Sequence, residues 1–494
     1  MKKIFIAALL LIAFSFSLFA DEAPFDKVRV SESLILSEEE IQQIIDECTS
    51  RYSGMELLNN IVDRINSLYL EKGYPNARAY IPEQDIENRT VLIELVEGRV
   101  GTITVSGNKY TSERFILKNL KIDSTKALDL TELERKLLSF NRWNSGVNLS
   151  TTLNPGKDRQ GTTDIDIQVS ETYPNGGYFS FDNYATEASG SFRTGIHLAF
   201  NSLTKNRDPL SAGVYLSYGS KSFYADYNFP AFGTRIGIRG SYSNSEVPNG
   251  LFILKSQSFS GSVYVIIPVS CTPERNINAT VSSTYSSTTT GIDDTKFPTE
   301  SIVNGRVGVS AAFILDKFNI SAAAGAAAGT QLSGRNAVEL YGKFDASLNI
   351  RFTPDRVSFM TLSASGQWMP FNDVIPNQEM LYAGGASTVR GYSEGVLWGK
   401  SGYIVSVEFH MWLPGSTRSS VFLFADHAGI FPYPADVRDN FLLGTGAGLD
   451  AYFGDAVHFK FTFGGPAIKV DQGGNPPEFR CNFSLTITPP AGRM

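Results

Sequence analysis

The side chains of this sequence that could do chemistry are spaced for electrostatics rather than for making or breaking bonds. Its four histidines, His197, His410, His427 and His458, stand singly along alternating stretches, where packing or pore lining accounts for them better than catalysis or metal ligation. Cys48, Cys271 and Cys481 are far apart and odd in number, without a CxxC pair, so neither a zinc site nor a disulfide framework is expected. HExxH and P-loop patterns do not occur, no GxSxG stands in the setting of a nucleophile elbow, and Gly444, Gly446 and Gly448 lack the strand-turn-helix setting of dinucleotide binding. No enzyme, cofactor or metal is therefore expected. What stands out is a cation: Val389-Arg390-Gly391-Tyr392 lies in LYAGGASTVRGYSEGVL, residues 381–397, which reads as a long loop and not as the start or end of a strand. Gly384 and Gly385 let its backbone approach another surface closely. An arginine in so weakly charged a loop calls for a carboxylate elsewhere in the fold, although a surface turn with a solvated guanidinium explains the four residues by themselves.

The elements that must position this loop alternate like membrane strands, Met360 to Met369 before it and Tyr403 to Trp412 after it. The same alternation runs through residues 173–494. Ile236, Ile238 and Tyr242 share one face while Arg235, Arg239 and Ser241 fill the other; Phe479, Cys481, Phe483, Leu485 and Ile487 oppose Arg480, Asn482, Ser484 and Thr486. One face suits lipid and the other water, although a soluble sandwich can alternate in the same way. Residues 1–20 favour the membrane: Lys2 and Lys3, then an apolar run from Ile4 to Phe19, then Ala20 before Asp21, the pattern of a cleaved signal peptide. No later window offers the roughly 18 charge-free apolar residues of a membrane helix, so a membrane-spanning chain would have to close as a barrel. At roughly 20 residues per strand and connection, 173–494 holds about 16 strands, an even number. A net charge of −7 gives no reason to expect nucleic acid.

Residues 21–172 read differently, as two small α/β modules. The first, residues 21–100, opens with a strand from Phe25 to Val30. A helix capped by the box Ser37 to Glu40 follows, then a second helix boxed by Ser53 and Glu56 whose Leu57, Leu58, Ile61, Ile65, Leu68 and Tyr69 mark a buried face. Strands at Ala77 to Ile81 and Thr90 to Glu97 complete it. The second, residues 101–172, repeats that order, and a repeated unit is stronger than either copy alone. Ordinary soluble α/β domains would carry the same pattern.

VRGY in a long loop between two late strands resembles the signature of the Omp85 superfamily of outer-membrane β-barrels. Both small modules resemble POTRA domains, and Gly73, Tyr74, Pro82, Gln84, Asp85, Glu97, Gly98 and Arg99 match those of two-partner secretion transporters, the FhaC/ShlB/HecB-like branch. The resemblance implies α+β periplasmic POTRA modules followed by a transmembrane antiparallel β-barrel in the outer membrane, with the loop, residues 370–400, folded into the lumen. It places Arg390 opposite an acid of the wall. The family pattern Phe-x-Asp-x-Gly fits Phe424 and Asp426, and Gly429 falls one place late, as a bulge would allow. The bare face of Gly444, Gly446 and Gly448 would either curve its strand or serve as a track for the loop. Only Asp21 to Pro24 precede the first strand, so the helix that often plugs such barrels is expected to be absent. The implied partners are an unfolded secreted protein, captured by strand addition to a POTRA edge, outer-membrane lipid, and the barrel-assembly machinery during biogenesis. A short assembly factor that inserts other barrels is the alternative, and a passive porin a third.

Overall fold

The computed structural model describes residues 25–157, 162–185, 189–249, 251–272, 274–334, 340–370, 375–431, 440–470 and 479–490; the expected signal peptide lies outside them. The chain divides into two compact units. One takes the residues up to Asn108 with Ile116–Phe140 and Asn148–Ser170, the other Lys109–Phe115, Asn141–Val147 and Glu171 onward.

In the smaller unit, the first module runs β1 (Lys27–Val30), α1 (Glu38–Thr49), α2 (Gly54–Glu71), β2 (Arg78–Tyr80) and β3 (Thr90–Val96). The sheet order is β1-β3-β2, with β1 parallel to β3. Ser37 and Glu40 form the expected reciprocal cap of α1. The box expected at Ser53 and Glu56 does not form: Ser53 makes no side-chain cap bond, because Gly54, at φ +61°, turns the chain between the hydroxyl and the helix. Leu57, Leu58, Ile61, Ile65 and Tyr69 are the buried face of α2, three and four residues apart so that they fall on one side. Gly73, at φ +86°, ends the helix where Tyr74 N–H bonds back to Tyr69 O at 2.8 Å, a left-handed stop that glycine takes without strain. The second module repeats the order as β4 (Arg99–Ser106), α3 (Glu113–Leu120), α4 (Leu130–Trp143), β5 (Val147–Pro155) and β6 (Thr162–Glu171), its sheet ordered β4-β6-β5.

The larger unit is a closed antiparallel barrel. Sixteen long strands run from Asn175–Asp182 to Arg480–Ile487, and a two-residue strand, Thr295–Lys296, lengthens one hairpin. The last strand closes on the first, with Leu485 opposite Phe181 and Ile487 opposite Phe179, so no edge is left for pairing in lipid. Phe179, Phe181, Ile196, Phe223, Ile238, Phe259 and Val263 point outward and are exposed, as a lipid-facing surface requires. Cys481, read from alternation as lipid-facing, is exposed.

The same unit contains a buried polar knot. Arg207 donates to Glu171 (2.8 Å) and to Thr111 (2.7 Å), and Glu171 accepts the Lys109 and Tyr110 N–H groups at 2.8 and 2.7 Å. Burial raises the Glu171 carboxyl, but hydrogen bonds from Thr111, Tyr110 and Arg207 outweigh it and hold the group below its ordinary value of 4.5. A carboxylate whose pKa is lowered by folding stabilises above its unfolded pKa and loses that contribution as pH falls. Amide protection relative to the intrinsic rate at each pH, in the turn of residues 201–209, is therefore expected to be high at neutral pH and to fall below about pH 4.5 in the wild type, and to be low at both in Glu171→Gln.

Candidate functional site: a loop pinned in the barrel lumen

Inward-facing residues on successive barrel strands converge on Arg390. On Ser420–Phe431 the period of two puts Phe422, Phe424, Asp426 and Ala428 on the buried side. On Ser401–Trp412 the inward positions include Ser406, Glu408 and His410. The Arg390 guanidinium takes Asp426 with both ends of its fork, Nε to Oδ2 and Nη2 to Oδ1, each at 2.7 Å. Its backbone N–H bonds the same carboxylate at 3.0 Å. Nη1 reaches Glu408 at 2.6 Å, and the cation lies 3.7 Å from the ring centroid of Phe424. Arg390 is 7% exposed and Asp426 fully buried, so the pair is held by geometry in a site where a lone charge would be costly. Phe424 and Asp426, two residues apart, thus supply the flat face and the fork partner to one guanidinium.

The remaining motif residues seat the loop around this pair. Val389 and Tyr392 are buried with Ala383, Leu397, Ala428, Ile430, Leu442 and Val470. Tyr392 donates its hydroxyl to Ile468 O at 2.5 Å and accepts Leu443 N–H at 3.1 Å, which ties the loop to two wall segments. Gly391 adopts φ +95°, and a β-carbon there would lie 2.7 Å from the carbonyl carbon of Gly465. A β-carbon at Gly444 would strike the Arg390 carbonyl, whereas at Gly446 and Gly448 it would meet the rings of Phe424 and Phe422. The bare face therefore serves the loop at one end and, along the rest, the aromatic residues that hold the arginine.

Two expectations are corrected. The stretch read as all loop begins and ends in short strands: Leu381–Ala383 pairs with Leu397–Gly399, a clasp that sequence patterning misses because each strand has three residues. No bulge follows Asp426, since pairing with the preceding strand is unbroken from Ala425 to Phe431. Ala428 fills the place of the motif glycine, and Gly429 faces outward against Tyr403 and Phe441.

A second anchor was not legible in the sequence. Glu379, 6% exposed, accepts hydrogen bonds from Asn304 and Tyr341 at 3.0 Å each and pairs with Lys343. Gln367 donates to Glu379 O at 2.6 Å and to Lys400 O at 2.9 Å, and Arg480 donates to Ser393 at 2.7 Å. The signal that could have found these anchors was a charged or amide side chain on the inward face of an alternating strand, as at Lys343, Gln367 and Arg480. Lys343→Ala is expected to loosen the upstream limb alone, giving partial channel opening in single-channel records, smaller than that of Arg390→Ala.

In the smaller unit most of the residues that resemble a POTRA motif are tied into the module by hydrogen bonds. Glu97 accepts hydrogen bonds from Tyr69 at 2.8 Å, from Leu34 N–H at 2.5 Å and from Ser33. Burial, with the bond to Glu97, drives the Tyr69 phenol far above its ordinary pKa, so it stays a donor. Gln84 pairs with the backbone of Leu92 through both ends of its amide, 2.8 Å each way, standing in for a strand. Pro82 O lies 3.3 Å from the same amide nitrogen, and Asp85 is exposed. Gly98 O accepts Leu128 N–H at 2.8 Å, and Arg99 opens β4. Tyr74 lines a cleft of about 370 Å³ with Val100, Ile122, Leu128 and Leu133.

A closed barrel with a loop pinned in its lumen, preceded in sequence by small α/β modules, is the architecture of an Omp85-type protein. Residues 161–451 match the family described as haemolysin secretion/activation protein ShlB/FhaC/HecB, and residues 23–98 match the ShlB-type POTRA domain. The chain belongs to that family. It is 25% identical over 402 residues to the heme/hemopexin transporter protein HuxB of Haemophilus influenzae (strain 86-028NP), covering 77% of this chain and 70% of the relative. It is 24% identical over 229 residues to the outer membrane transporter CdiB of Dickeya dadantii, covering 45% and 40%. In fold it is similar to CdiB from Escherichia coli (TM-score 0.69, 19% identity, 96% and 92% covered) and to CdiB from Acinetobacter baumannii (0.70, 17%, 94% and 90%). The protein is an outer-membrane transporter of the two-partner secretion type, with its POTRA region in the periplasm.

Proposed function

We propose that this transporter holds its resting channel shut with the lumenal loop, releases that loop when an unfolded client engages the POTRA modules, and threads the client outward. The carrying observation is Arg390 clamped between Asp426 and Glu408: a strong, largely buried latch whose partners all lie on the wall, so that it opens as a unit. Client folding outside the cell supplies the driving force. Lipid contacts the outward aromatic and aliphatic residues, and the assembly machinery receives the chain before the barrel closes. Comparing culture supernatants with and without the gene tests the reading. One or very few secreted proteins should disappear, whereas a general loss of outer-membrane barrels would favour an assembly factor.

Strand addition to β2 requires one exchange. The only peptide of that short strand turned away from β3 is that of Ala79, and Asn66 of α2 already holds it, donating to Ala79 O at 3.3 Å and accepting its N–H at 2.7 Å. A side-chain amide here protects an edge that would otherwise pair freely. An incoming client strand replaces one amide with another at little net cost. Asn66→Ala is expected to bind unfolded client several-fold tighter, read by anisotropy of a labelled client fragment, while the module melts earlier.

A further inference from the structure

Across the barrel strands from Asn175–Asp182 to Phe252–Cys271, the inward face carries a row of rings. Tyr178 stacks on His197 with centroids 4.8 Å apart and planes 25° apart. His197 stacks on Tyr224 at 5.9 Å and 24°, and Tyr224 on Tyr215 at 6.3 Å and 19°. Tyr264 extends the row, its hydroxyl bonded to Asp226 at 2.6 Å. The lipid-facing side of these strands is occupied by Ile196, Phe223, Ile238 and Val263, so the ring row belongs to the lumen.

Three of the five rings have a place made for them. A β-carbon at Gly195, Gly213 or Gly237 would collide with the ring of Tyr215, Tyr224 or Tyr264 respectively, and each of these glycines is the cross-strand partner of the tyrosine it accommodates. Laid over bare backbone, the rings lie along the wall instead of crossing the lumen. His197 bonds the Tyr224 hydroxyl, and Arg193 and Arg239 lie over Tyr215 and Tyr264 at 5.0 and 5.6 Å. All five aromatic side chains remain half-buried. The loop's anchors described above fall on other strands, from Asn304 to Arg480.

We infer that this aromatic wall is the surface along which the exported polypeptide slides, contacting it through the faces of Tyr178, Tyr215, Tyr224 and Tyr264 rather than through ion pairs. The inference rests on the exporter reading. An extended chain in transit needs contacts that ignore its sequence and that are weak enough to break at every step. Ring faces meet peptide planes and apolar side chains alike, and the guanidinium groups beside them are already paired with Asp182 and Asp226 of the wall. A row of similar, modest contacts makes neighbouring registers nearly equal in energy, which favours movement over capture.

The test uses the full-length transporter in proteoliposomes with a long, labelled, unstructured synthetic peptide of Gly, Ser, Asn, Val and Tyr. A benzophenone amino acid replaces Tyr215, Tyr224 or, as the lipid-facing control, Phe223. Adducts should form at the first two positions several-fold more than at the control. With the photoprobe at Tyr264, the paired change Tyr215→Ser and Tyr224→Ser should lower the yield several-fold, and Tyr215→Phe with Tyr224→Phe should keep it, because the ring and not the hydroxyl makes the contact. Heat-dependent gel mobility establishes that each barrel is folded. Equal yields at all three positions, or no loss in the serine pair, would overturn the inference. The supernatant comparison bears separately on the exporter reading.

Discussion

Arg390→Ala is expected to open the channel and depress export together while the barrel still assembles. The substitution leaves the Asp426 and Glu408 carboxylates inward-facing without their guanidinium, and removing one member of a buried pair costs about 3 to 5 kcal/mol. The population of the seated loop should fall by about a hundredfold or more, since each 1.4 kcal/mol is a factor of ten. Conductance in planar bilayers should rise towards that of an unplugged barrel, secretion should drop, and heat-dependent gel mobility should stay normal. Asp426→Asn should follow the same course more weakly, because Glu408 and the Phe424 ring still hold the cation. Arg390→Lys keeps the charge but not the fork, so it should lie between. Wild-type conductance and secretion in Arg390→Ala would refute the latch.

The second large effect is expected at Glu97→Ala, far from the lumenal latch in sequence. Its carboxylate gathers Ser33, the Leu34 N–H and the Tyr69 hydroxyl inside the first module. Hydrogen bonds to a charged group are worth about 1.5 to 3 kcal/mol each, and donors left buried add to the loss. Against the roughly 4 to 11 kcal/mol expected for a module of about 75 residues, a deficit of about 4 kcal/mol brings it close to unfolding. Protease should then cut between Phe25 and Val96 in the otherwise intact chain, and secretion should fail with the channel still closed. Loss of secretion accompanied by an open channel would mean instead that the motif acts on the loop. The two predictions thus separate client capture from channel closure.

How far the site could be read before folding depended on the range of the interaction concerned. Arg390 announced itself by being a cation in a glycine-rich loop, whereas Asp426 was found through the family pattern Phe-x-Asp that Phe424 and Asp426 fit. The first signal is local; the second came from the resemblance to a family. Glu408, Lys343 and Arg480 looked like ordinary polar residues on inward faces, and Glu379 like an ordinary acid of the loop. Their partners lie on other strands or in the loop, and which inward positions share a level depends on strand register and on how far the loop descends. Asn66 was equally silent, since an asparagine on a helix surface gives no sign that a strand lies beside it.

The alternation that assigns one face to lipid, the three-and-four spacing that makes α2 amphipathic and the repeated order of the two modules are all legible in the residue pattern. Each follows from the fixed geometry of a strand or a helix over a few neighbouring residues. That Ala428, not Gly429, takes the motif place, that the bare glycine face receives rings along most of its length and that a second acid anchors the loop became visible once the strands were assembled. Those outcomes depend on barrel closure, where a shift of one residue between paired strands exchanges the inward and outward sets, and no local pattern encodes that register.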